Sequence, residues 1–130
     1  DRGGPALVHP RPRIERGSTA VRDDRLYLIH ITECIERIER YTVPGDNAFY
    51  SDTMIQDAVL RNLHTLSEST QRLSDALKDH HPEVDWTSIA AFRNVVVHDY
   101  LGIDLPRIWD IVERDLPNLK LAIRTILEAH

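Results

Sequence analysis

Apolar residues recur at three- and four-residue steps along most of this chain, and the polar residues fall between them. From Asp23 onward, Leu28, Ile31, Ile35 and Ile38 alternate with Glu33, Glu36, Arg37, Glu39 and Arg40, which predicts an amphipathic helix over about 24–41. The run TVPGDN ends it through Pro44 and Gly45. Met54, Ala58, Leu63, Leu66, Leu73 and Leu77 then predict a longer helix over about 48–78, antiparallel to the first and capped at its start by Ser51 or Asp52. DHHPEVD interrupts the chain, and Asp85 is placed to cap a third helix that begins near Trp86. The valines at 95–97 favour strands, but helix-like WTSIAAFRN precedes them and no second strand is available to pair with. Two Asp-Leu-Pro triplets, at 104–106 and 115–117, read as helix starts in which the aspartate caps and the proline sits in the first turn. They predict a short fourth helix near 108–114 and a fifth from Pro117 onward. The expected fold is an all-α, small antiparallel bundle of about five helices.

The first 21 residues break this pattern. They hold three of the seven prolines and three of the five glycines and show no periodicity. We read 1–21 as an N-terminal arm, or an extension appended to the natural chain, and 22–130 as the helical domain. At 130 residues there is room for one core. A composition of 42% hydrophobic and 28% charged residues, without a long apolar run, predicts a soluble domain that does not cross a membrane. Cys34 stands alone, so no internal disulfide is available and a cytoplasmic location is expected. The net charge of −5 excludes a global basic field, and any RNA contact has to be local. No metal site and no cofactor are expected. His80 and His81 read as a solvated loop pair.

The third helix carries the candidate chemistry. Its apolar arc, formed by Trp86, Ile89, Val96 and Val97, has Arg93 at its centre, where an unpaired guanidinium is costly. Ala90, Ala91 and Val95 make the opposite side apolar too, so the helix is expected to be buried all round, with a second copy of the chain as cover. A homodimer with two converging sets of Arg93, Asn94 and His98 follows. Imidazoles from two protomers could serve as acid and base on a ribose 2′-OH, while Arg93 stabilises charge on the phosphate. The same residues also allow plainer readings. Arg93 could pair with an acid such as Asp57, His98 could simply favour a helix C-terminus, and Tyr100 could be a core tyrosine.

RNVVVHDY resembles the R-x-x-x-x-H-x-Y motif of the HEPN superfamily, and in particular the HepT toxins of type VII-like HEPN/MNT toxin–antitoxin pairs. RDDRLYLIHITECIERIERYT, QDAVLRNL and HPEVDWTSIAAFRNVVVHDYLGIDLPRIWDIVERDLPNL are similar to that family's pattern, from about Arg22 to Leu121. The resemblance implies a dimeric bundle acting as a metal-independent endoribonuclease, with Arg93 and His98 catalytic and Asn94 beside them. It further implies that a minimal nucleotidyltransferase antitoxin transfers AMP to Tyr100. Two other readings remain open: a non-catalytic dimeric adaptor for such a nucleotidyltransferase or a nucleotide, and a structural bundle with Arg93 in an internal ion pair.

Overall fold

The structure, a computed structural model, describes residues 13–97 and 104–129, with side-chain surroundings for 23–94 and 104–129. Every element among these residues is helical.

Helix α1 spans Arg13–Tyr41 and buries Leu28, Ile31, Cys34, Ile35 and Ile38 along one stripe. It starts eleven residues before position 24. Gly17 is the one glycine in that extra length, and a single glycine weakens a helix by about 1 kcal/mol without ending it. The turn that follows is closed by Gly45 N–H donating to the Thr42 carbonyl at 2.9 Å. Gly45 has φ +99°, backbone that a side chain would strain.

The stretch expected as one helix over 48–78 is three: α2 (Asp46–Ser51), α3 (Thr53–Arg72) and α4 (Asp75–His80). Asp52 is extended between the first two, and its carboxylate accepts from Met54 N–H at 2.9 Å. Buried Gln56 donates to the Phe49 and Tyr50 carbonyls at 2.9 and 3.3 Å, satisfying acceptors that the end of α2 exposes. The second break lies at Leu73 and Ser74, both extended. Ser74 caps α4 by accepting from Leu77 N–H at 3.1 Å. Buried Asp24 of α1 in turn accepts from the Ser74 N–H and hydroxyl at 2.8 and 2.6 Å. The apolar period runs through both breaks, and polar caps make them.

Helix α5 (Trp86–Val97) begins where expected. Asp85 accepts from Ser88 N–H at 3.1 Å and from its hydroxyl at 2.6 Å. Asp104 likewise caps α6 (Leu105–Asp110), accepting from Arg107 N–H at 3.1 Å. The second Asp-Leu-Pro does not start a separate helix. A wide π-helical turn at Ile111–Asp115 carries α6 directly into α7 (Leu116–Ala129), with Leu116 N–H donating to the Ile111 carbonyl. Pro117 therefore lies inside a continuous helical run. It offers no N–H and crowds the preceding turn, and a widened turn is one way for a helix to accommodate it.

Helix α3 packs between α1 and α5, and α7 lies against α1. The α1–α3 pair is antiparallel: Asp24 meets Ser74, and further along α1 His30 Nδ1 lies 3.2 Å from the Ser69 hydroxyl. Phe49 and Trp109 join α2 to α6 with ring centroids 5.2 Å apart. Lys120 donates to Glu39 at 2.9 Å, linking α7 to α1.

Candidate active site

Helix α5 meets the core through Ile89 and Phe92, which are buried, while Thr87, Ser88, Arg93 and Asn94 are exposed and Trp86, Ala90 and Ala91 half-buried. The expectation of a helix buried on every side is thus not met within one chain. Phe92 turns the core line away from Arg93, which stands at its edge, where a long side chain carries its charge into solvent. Among the described residues Arg93 makes no ion pair, with Asp57 or any other acid. Asp57 is itself exposed. Among the described residues, therefore, no internal ion pair explains the arginine.

At 100° per residue the exposed side of α5 resolves into two neighbouring strips. Thr87, Ala91 and Asn94 lie on one; Trp86, Ala90 and Arg93 lie on the other. Arg93 and Asn94 are adjacent exposed polar groups near the C-terminal end of the helix. His98 and Tyr100 lie outside the described residues, so the structure does not bring them into this geometry.

The N-terminal half of α5 borders a different feature, a cleft of about 300 Å³ between α5 and α7. Val84, Ile89, Phe92 and Leu119 contribute its apolar lining, and Glu83, Asp85 and Asp115 contribute carboxylates. Hydrogen bonds from the Ser88 hydroxyl and N–H hold the Asp85 carboxyl below its usual value. Its own backbone N–H, and then His81 with Nδ1 3.1 Å from Oε2, do the same for Glu83. Both stay ionised at neutral pH, a surface that repels phosphate. The exposed Arg93 strip is the better place for an anion.

The described histidines are accounted for locally. His64 lies 3.5 Å from Glu68 one turn on, exposed His80 ends α4, and half-buried His81 stacks edge-on against it. No group of three or more potential metal ligands occurs among the described residues. Burial pushes the Cys34 thiol up, away from thiolate chemistry.

The protein is of the all-α bundle class, with an exposed Arg-Asn pair on α5, and comparison with known proteins supplies the family. The family described as "Ribonuclease HepT-like" matches residues 31–126. The chain belongs to this HepT-like family of the HEPN superfamily. It is 35% identical over 100 residues to "Probable ribonuclease HepT" of Thermococcus cleftensis, covering 76% of this chain and 91% of that one. It is 30% identical over 106 residues to "Putative RNase MJ1380" of Methanocaldococcus jannaschii, covering 81% and 97%. "Gamma-glutamylcyclotransferase and putative RNase MJ0434" of the same organism is 33% identical over 108 residues, covering 82% of this chain but 49% of its own length. No solved structure matches.

Proposed function

We propose that this protein is a metal-independent endoribonuclease, the toxin of a HEPN/MNT toxin–antitoxin pair, working as a homodimer in the cytoplasm. The observation that carries the nuclease reading is Arg93, an exposed guanidinium with no acidic partner among the described residues, within the stretch that the ribonuclease family's model covers. A second copy would cover the strip of Thr87, Ala91 and Asn94 and bring two Arg93–His98 sets to one cleft. There, His98 of one protomer takes the proton from a ribose 2′-OH as that oxygen attacks the neighbouring phosphorus. The bond to the 5′-oxygen breaks, and His98 of the other protomer gives that oxygen a proton. Arg93 stabilises the charge that gathers on the non-bridging oxygens, and Asn94 orients the phosphate or the imidazole.

Control would fall on Tyr100. AMP transferred there by a partner nucleotidyltransferase adds bulk and negative charge two residues from His98, blocking the cleft and repelling RNA phosphate. The deciding assay incubates RNA with wild type and His98→Ala in EDTA. Cleavage by wild type alone, leaving a 2′,3′-cyclic phosphate and failing on a 2′-deoxy nucleotide, is expected; cleavage that needs a metal, or that cuts the deoxy substrate, refutes the mechanism.

A further inference from the structure

The strip of α5 that carries Arg93 also carries Trp86, seven residues earlier. Seven residues are about 20° short of two full turns, so the two side chains stand nearly in line about 10 Å apart along the axis. Half-buried Ala90 lies between them on the strip, so a small side chain separates an aromatic ring from a guanidinium, and Ile89 beside them is buried. Helical side chains lean toward the N-terminus, which is the direction in which Trp86 lies from Arg93.

The indole itself is held in place. Its Nε1–H donates to the His81 carbonyl at 3.0 Å, which spends the one polar group of the ring and fixes its edge to the α4–α5 connection. The ring packs in part against the core and keeps a smaller part of its surface open to solvent. An oriented aromatic surface with its donor already committed offers a ligand its π-face and nothing polar. Beside a guanidinium with no acidic partner among the described residues, that combination suits an unpaired nucleotide: phosphate on the guanidinium, base on the indole. A paired base inside a duplex could not reach the ring.

We propose that Trp86 is a base-stacking platform for single-stranded RNA, holding the base of a nucleotide whose phosphate sits at Arg93. This rests on the nuclease reading for the identity of the ligand. It adds the single-strand preference and a residue that governs binding without taking part in proton transfer.

The test uses a Trp109→Phe background, so that Trp86 is the sole tryptophan, and a labelled single-stranded 2′-O-methyl RNA, which binds without being cut. Label anisotropy reports binding and tryptophan emission reports stacking. The expected result is quenching of Trp86 as the strand binds, with none from the same strand in a duplex. Trp86→Leu should raise Kd about tenfold to a hundredfold, the loss typical of one stacked base, while Trp86→Phe keeps most of the affinity. On cleavable RNA, Trp86→Leu should raise KM and leave kcat within about twofold, because a uniform binding interaction has been removed. Binding without quenching, or a Leu variant with wild-type Kd, overturns the proposal. If the Leu variant does not fold, the quenching measurement decides alone. Quenching in a protein that cuts no RNA would sink the nuclease reading and leave the platform standing. Cleavage without quenching would do the reverse, and absence of any binding would remove both.

Discussion

Arg93 reads differently in sequence and in structure, and the difference comes from one neighbour. The wheel places it among Trp86, Ile89, Val96 and Val97, whereas the folded chain selects Ile89 and Phe92 as the buried line and leaves the guanidinium outside. If that exposed charge stabilises a phosphorane-like transition state, Arg93→Ala should lower the cleavage rate about 100- to 1000-fold. Arg93→Lys should recover part of this and no more, since the planar fork is lost. Steady-state kinetics on one RNA checks both, and a wild-type rate for the alanine variant would remove Arg93 from the chemistry. On the proposed control by AMP transfer, Tyr100→Phe should keep nuclease activity yet escape a co-expressed partner nucleotidyltransferase. Intact-protein mass spectrometry after co-expression would show one AMP added to wild type and none to the variant.

Among the helices, the capping groups are the places where stability should respond most clearly. Asp24 is buried and supplies both acceptors for Ser74, so Asp24→Ala strands a donor at the α3–α4 break and should cost about 1–3 kcal/mol in denaturant unfolding. Asp85 offers a pH test. Its folded carboxyl is depressed by the Ser88 hydrogen bonds, so its stabilisation of α5 is fully present above the unfolded value, about 3.9, and is lost as pH falls through the lower folded value. Asp85→Ser should flatten the stability profile across that acid window; an unchanged slope would show that the cap carries no linkage. At the π-helical turn, Pro117→Ala restores an N–H and relieves ring crowding, so a gain of about 1 kcal/mol is expected. A less stable variant would mean that packing of Ile111 and Leu116, and not the proline, holds the turn wide.

The assembled molecule depends on what covers α5. Within one chain its Thr87–Ala91–Asn94 strip faces outward, a row of small and polar residues beside the catalytic candidates. A two-fold homodimer is expected at micromolar concentration in light scattering. If each site draws on both copies, as proposed, Ala91→Glu should shift it toward monomer and abolish cleavage together. An active monomer would rule out the composite cleft.

Helix type, approximate placement and the caps at Asp52, Asp85 and Asp104 were legible from the chain because they depend on neighbours within four residues: a 3.6-residue apolar period and a side chain reaching its own N–H groups. The R-x-x-x-x-H-x-Y stretch around Arg93 was read from residue order, as a resemblance, and it lies within the residues that the family model matches. What lay beyond local reading was settled by partners distant in sequence. The break at Ser74 is held by Asp24, fifty positions away, and the period alone ran straight through it. Asp115 carries the same local signal as Asp104, yet the packing of α6 and α7 into one helical run overrides it. Which face of α5 is buried was likewise undecided on the wheel, since hydrophobic residues surround that helix. Tertiary packing buries Ile89 and Phe92 and leaves Arg93 outward, because a core has room for one stripe and the charged residue at its edge is the one that water can still solvate.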